Sequence, residues 1–338
     1  MAERRVVTFQ GGRVAQGSSC LILPVEKPIA MPYSEPKIRA AYAECRRLAT
    51  HHYENFPVAS WLVPPDKRDA LAVIYAFARR ADDFADEPGI SGRLAALAEW
   101  RSKLNGCFGG AADHPVFIAL RDVAERFRLS REPFHNLICA FESDVRVNRH
   151  PNFASLLEYC RCSANPVGRL VLELFGHRDP VLFALSDCIC TALQLTNHWQ
   201  DVAIDLSRDR IYLPLDELTR FGLSVAELHS LMLSREVAQA KSLQHRWQAL
   251  MSFQVRRARE LFEQGHPLPE RVAPDLRLQL RLTWLGGMAI LKKIEAVNYD
   301  VFHRRPTISK LDFVRLYLKA RCGPALDASA AVTERSRI

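Results

Sequence analysis

The stretch Gln194 to Asp205, QLTNHWQDVAID, draws a polar stripe down an otherwise apolar helix. At about 100° per residue, Gln194, Asn197, Asp201 and Asp205 recur at i, i+3, i+7 and i+11 and share one face. From Val181 to Val202 the other faces carry Leu182, Leu185, Cys188, Ile189, Ala192, Leu193, Leu195 and Trp199. Such a helix is expected to be buried nearly all round. Buried carboxylates then need a partner, because an uncompensated charge in the interior is costly, and a cationic side chain or a metal ion supplies one.

A second stretch offers the matching half. In YAFARRADDFADE the same periodicity puts Tyr75, Arg79, Asp82, Asp83 and Asp86 in one sector of a helix. Asp82 and Asp86 are i, i+4 neighbours, and like charges at that spacing repel. An acidic cluster on each of two helices implies cations between them. Mg²⁺ suits carboxylate and water oxygens and completes its octahedron with substrate phosphates. The competing reading of Asp82 to Asp86 is a solvated helix face.

The rest of the chain is consistent with one helical body. Its 338 residues are 48% hydrophobic and 25% charged, a globular composition, and no run is long and apolar enough to span a bilayer. The first thirty residues lack the apolar core of a secretory signal. Nine scattered cysteines, without a zinc-finger spacing to histidine, read as reduced thiols in a cytoplasmic setting. A net charge of +8 suits anionic substrates or an anionic membrane surface. Nucleic acid is disfavoured because the arginines are dispersed and no helix-turn-helix pattern emerges.

Residues 1–33 show no helical period and read as a disordered tail, and residues 323–338 as a flexible one. Between them, prolines punctuate helices expected at about 36 to 54, 65 to 87, 91 to 105, 115 to 127, 131 to 149, 153 to 164, 166 to 176, 180 to 206, 224 to 265, 271 to 302 and 308 to 321. With no strand alternation, the expectation is an all-α single domain over residues 34–322.

Smaller signals lie between and beyond the acidic helices. In YCRCSANPVG the small residues Ser163, Ala164 and Gly168 either let a ligand come close or, as the favoured reading, pack helices tightly. Asp144, Arg146 and Arg149 read best as an intrahelical surface ion-pair set. Arg208 and Arg210, just past Asp205, either clamp a phosphate bidentately or form a solvated charge run.

Together the two motifs resemble the squalene and phytoene synthase family of head-to-head isoprenoid synthases, over roughly residues 36–322. Tyr75, Arg79, Asp82, Asp83 and Asp86 approximate the first motif of that family. Gln194, Asn197, Asp201, Asp205, Arg210, Tyr212 and Pro214 meet the second. HYENFPVASWLVPPDKR, with Asn55, Phe56 and Pro57 in place of a serine-rich segment, is similar to the hydroxysqualene synthase branch of hopanoid biosynthesis. His198 stands where the family has an aromatic residue, and Gln200 where carotenoid-forming relatives often have arginine.

The resemblance implies an isoprenoid (terpenoid) synthase fold with a central active-site cavity. It implies catalysis by Tyr75, Arg79, Asp82, Asp86, Asn197, Asp201 and Asp205, and roughly two or three Mg²⁺ ions held by Asp82, Asp83, Asp86, Asn197, Asp201 and Asp205. Substrate contacts would come from Asn55, Phe56, Arg79, Ser163, Val167, Gly168, Gln194, Gln200, Arg210 and Tyr212. Tyr75, Phe56 and Trp199 are candidate walls for a carbocation. Presqualene diphosphate would ionise, rearrange and capture water to give hydroxysqualene, with no nicotinamide cofactor. Asn55 and Gln200, which carry groups able to hold that water, have plain packing as their alternative.

The implied setting is cytoplasmic, with peripheral association at the inner membrane surface. Function would be coupled to a presqualene diphosphate synthase and a hydroxysqualene-reducing enzyme. Two alternatives stay open: synthesis of presqualene diphosphate, squalene, dehydrosqualene or phytoene, and a silent relative acting as an assembly factor.

Overall fold

Helix follows helix along the described residues, 35–51, 63–86, 92–233 and 241–322, of the computed structural model. The first half comprises α1 (Pro36–His51), α2 (Pro65–Asp86), α3 (Arg93–Phe108), α4 (Pro115–Phe127), α5 (Glu132–Arg146), α6 (Phe153–Ser163) and α7 (Asn165–Leu174). The second comprises α8 (Pro180–Gln200), α9 (Val202–Ser207), α10 (Leu215–Arg220), α11 (Val225–Leu233), α12 (Lys241–Gly265), α13 (Leu268–Arg271), α14 (Pro274–Ala296) and α15 (Lys310–Cys322). No strand occurs among the described residues, only an isolated bridge between Arg149 and Ile211. The all-α expectation holds; the expected tails, 1–33 and 323–338, lie outside the described residues.

Local chemistry explains where the helices begin. Pro180 opens α8 at a position whose amide has no intrahelical partner, and the Asp179 side chain accepts from Val181 N at 2.8 Å. A reciprocal capping box starts α15. Ser309 N donates to Asp312 Oδ2 at 2.8 Å, and Asp312 N donates to Ser309 Oγ at 3.2 Å.

The structure differs from the sequence expectation at several ends. The helix expected over 180–206 breaks at Asp201, whose φ of −107° and ψ of 15° divide α8 from α9. The helix expected to reach 302 stops at Ala296, because Asn298 and Tyr299 take positive φ and Tyr299 N turns back to Ile294 O at 2.9 Å. α5 stops at Arg146, with Val147 extended. Beyond it the chain runs beside 209–216, with Ile211 N on Asn148 O at 2.9 Å and Leu215 N on His150 O at 3.0 Å.

Two apolar groupings hold the helices in place. Phe77 of α2 stacks against Trp100 of α3 and meets Phe117 of α4 and Phe134 of α5 edge-on. In the second half, Ile189, Leu195 and Trp199 of α8 share a core with Leu250, Val255 and Phe262 of α12. α8 and α12 approach closely because position 265 is glycine: a Cβ there would lie 2.4 Å from Ile189 Cγ1 and 2.8 Å from Leu185 O. The second acidic motif is therefore carried on a well-anchored helix.

Candidate active site

Arg210 joins the two acidic stretches, and further arginines pair with acids of each. Arg79 Nη1 lies 2.9 Å from Asp82 and Nη2 lies 2.8 Å from Asp83, within one turn of α2. Arg210 Nη2 crosses from the second motif to Asp86 at 2.5 Å. Arg305, in the segment joining α14 to α15, grips Asp201 through Nε and Nη2, at 2.5 and 3.1 Å. Guanidinium groups thus hold the carboxylates in this arrangement. Among the described residues no three His, Cys, Asp or Glu side chains converge as a metal site.

The arginines do not cancel the charge. Asp82 keeps a third of its side chain accessible, yet burial, and then the neighbouring Asp86, push its carboxyl up to about 6. Asp205 is raised to about 7, by burial first and by Asp201 next. A third carboxyl joins them. Asp144 of α5 is also raised to about 7 by burial, with Asp86 and Asp82 adding to the effect and a Tyr159 hydrogen bond opposing it. Burial is the larger cause in each case and the Asp86 charge adds to all three, so the site has room for positive charge.

Beneath the acids lies a layer of rings. His198 stacks on Tyr212, with centroids 3.7 Å apart and planes 15° from parallel. Tyr159 lies 5.7 Å from Tyr212, and the two are hydrogen-bonded. His150 stacks at 5.7 Å on Tyr212. Burial pushes the His198 imidazole down to about 3, so it is a neutral flat ring, and its Nε2 lies 3.2 Å from Gln194 Nε2. His198 therefore packs as a flat aromatic ring, as the resemblance implied for an aromatic residue at this position. A narrow cleft bordered by His198, Asp205, Arg210 and Tyr212 opens on this layer.

Several sequence expectations are corrected here. Asp144 belongs to the acidic cluster and not to a surface ion-pair set. Arg149 has left the helix, because α5 ends at Arg146, and it pairs with Asp209 instead. Trp199 is wholly buried in the α8–α12 core and is no cavity wall. The Gln200 amide is buried and donates to the Pro306 carbonyl, bracing the segment that carries Arg305. Gly168, by contrast, meets the favoured packing reading: a Cβ there would lie 2.3 Å from Ser186 Oγ and 2.5 Å from Cys190 Sγ of α8.

Other positions are placed without such a conflict. Tyr75 and Val167 are half-buried, Asn197 is exposed, and Ser163 Oγ is buried without a hydrogen-bond partner. Asn55 and Phe56 lie outside the described residues.

Asp144, Tyr159 and Arg305 were not among the sequence-derived site residues. Asp144 carried a usable signal, since it follows the buried Leu137 and Ala140 at i+7 and i+4 on α5. Arg305 carried none, because its partner lies 104 residues away.

An all-α fold with two facing acidic motifs defines an isoprenoid-synthase type of protein. Residues 49–312 match the squalene/phytoene synthase family, and the chain belongs to it. The chain is 31% identical to a phytoene synthase of Arthrospira platensis, covering 86% of this chain and 94% of that one. It is 32% identical to a 15-cis-phytoene synthase of a Synechocystis species, over 87% and 88% of the two chains. Among solved structures, squalene synthase HpnC from Alicyclobacillus acidocaldarius superposes with a TM-score of 0.71 at 38% identity, covering 78% of this chain and 96% of that one. A dehydrosqualene synthase shares the fold, with a TM-score of 0.73 at 24% identity, over 85% and 97% of the chains.

Proposed function

We propose that the protein is a hydroxysqualene synthase, converting presqualene diphosphate and water to hydroxysqualene and diphosphate. The observation that carries the reading is the convergence of Asp82, Asp144 and Asp205, from three helices, on Asp86, whose charge adds to burial in raising the proton affinity of each and calls for added positive charge. The choice of branch is supported by the 38% identity to a squalene synthase of the HpnC type, against 31% and 32% to the phytoene synthases above. Gln200 in place of an arginine supports it as well.

The donor set fits Mg²⁺, which takes carboxylate oxygens and tolerates remaining waters. Asp82, Asp86, Asp201 and Asp205 would hold it, with Asp83 and Asn197 flanking. When bound, Mg²⁺ supplies Lewis-acid stabilisation of a departing diphosphate.

The protein's own residues do the rest. Arg79, Arg210 and Arg305 already sit on the acidic residues, and each can exchange a carboxylate for a phosphate oxygen in bidentate geometry. Tyr75 and the ring layer of Tyr212 and Tyr159 present π faces to a cation generated beside them. The balance of the step is simple: the carbon–oxygen bond to diphosphate breaks, a carbon–oxygen bond to water forms, and one proton is released. A condensing activity must supply the substrate, and a reducing one must consume the alcohol.

The test is incubation of the purified protein with Mg²⁺ and presqualene diphosphate in ¹⁸O-labelled water. A labelled triterpene alcohol, formed at the same rate with and without NADPH, is the expected result. Squalene formed only with NADPH, or phytoene formed from a longer prenyl diphosphate alone, would sink the assignment and favour the other family activities.

A further inference from the structure

Helix α15 leaves an apolar stripe in solvent. Leu311 is 72% exposed, and Val314 and Leu318 are each 53% exposed. At about 100° per residue these three lie within a sector of roughly 60°. They form one face of the helix and not scattered surface residues. The opposite face is the one that docks: Ala320 is buried and its carbonyl accepts from Arg281, while Asp312 accepts from Lys293 at 2.6 Å.

The charges follow the same division. α15 has four basic residues, Lys310, Arg315, Lys319 and Arg321, against one acidic residue, Asp312. Asp312 is turned inward. All four basic residues are exposed, and none has an ion-pair partner among the described residues. On the helical wheel Lys310 and Arg321 flank the stripe on one side, and Arg315 and Lys319 on the other. A helix with an outward apolar stripe bordered on both sides by cations matches an anionic lipid surface: the apolar face enters the acyl boundary and the cations meet the headgroups.

We infer that the outer face of α15 seats the protein on an anionic lipid bilayer. A second copy of the chain is a poor occupant, because two such faces would set their basic flanks against each other. The segment after Cys322, with two acidic and two basic side chains, offers no net charge to complement it. No helix among the described residues is long and apolar enough to cross a membrane, so the contact is with the surface. The inference is independent of the activity proposed above.

Sedimentation of the full chain with phosphatidylglycerol-containing vesicles, and with pure phosphatidylcholine vesicles, tests it. The protein should partition onto the anionic vesicles and be released as salt rises. Leu311→Ser with Leu318→Ser should lower partitioning at least about tenfold, and Arg315→Glu with Lys319→Glu should abolish the preference for anionic lipid. Both pairs face solvent, so circular dichroism should be unchanged. Equal binding by the variants, no binding by the parent chain, or a dimer in solution that the Leu311/Leu318 variant loses would each overturn the inference.

Discussion

Arg305 and Asp201 are joined by two hydrogen bonds across 104 residues of chain, at the point where α8 gives way to α9. The buried amide of Gln200, one residue away, holds the Pro306 carbonyl next to Arg305. A carboxylate proposed above to hold Mg²⁺ is thereby occupied by a guanidinium on a braced segment. Arg305→Gln should make Mg²⁺ binding to the substrate-free protein several-fold tighter, since the ion no longer displaces a fixed cation. Titration calorimetry reads this directly; unchanged affinity would show that the pair does not compete with the metal.

Removal of single acids should separate catalysis from stability. Asp82→Ala and Asp201→Ala are each expected to reduce turnover by about a thousandfold or more while the helical fold persists, as loss of one group stabilising transition-state charge typically does. Their melting behaviour should differ. Loss of Asp82 relieves repulsion with Asp86, so stability at pH 8 should hold or rise. Loss of Asp201 strands Arg305, so stability should fall. Near-full activity in either variant would remove that acid from the mechanism.

Asp205 makes stability depend on pH in a defined direction. Its carboxyl is raised from 3.8 to about 7, so the folded state binds the proton more tightly than the unfolded state. Above pH 7 the group is ionised at a cost; as pH falls through 7 towards 4 the cost disappears. Asp205→Asn should therefore stabilise the protein by on the order of 1–3 kcal/mol at pH 8 and by little at pH 4. Urea unfolding at the two pH values checks this, and a gain confined to the acid side would contradict it.

Gly168 distinguishes packing from ligand contact. A methyl group there meets Ser186 Oγ and Cys190 Sγ well inside contact distance. Gly168→Ala should destabilise the fold by about 1–3 kcal/mol through overpacking. A variant of unchanged stability with a raised KM would instead place the residue against substrate.

The acidic motifs were legible because they are periodic within single helices. Asp82 and Asp86, like Gln194 and Asn197, are spaced by the 3.6-residue turn, and that geometry needs no tertiary information. Helix starts were legible for the same reason, since Pro180 and the Ser309–Asp312 box act within one turn. What only the tertiary structure decided is which groups face the motifs. The break at Asp201, the reach of Arg305 and Arg210 to carboxylates on other helices, the entry of Asp144 from α5, and the use of Gln200 as a brace and His198 as a stacking ring all depend on chain segments brought together by packing. Such contacts leave no period in the sequence, because they are set by side-chain reach and burial and not by residue spacing.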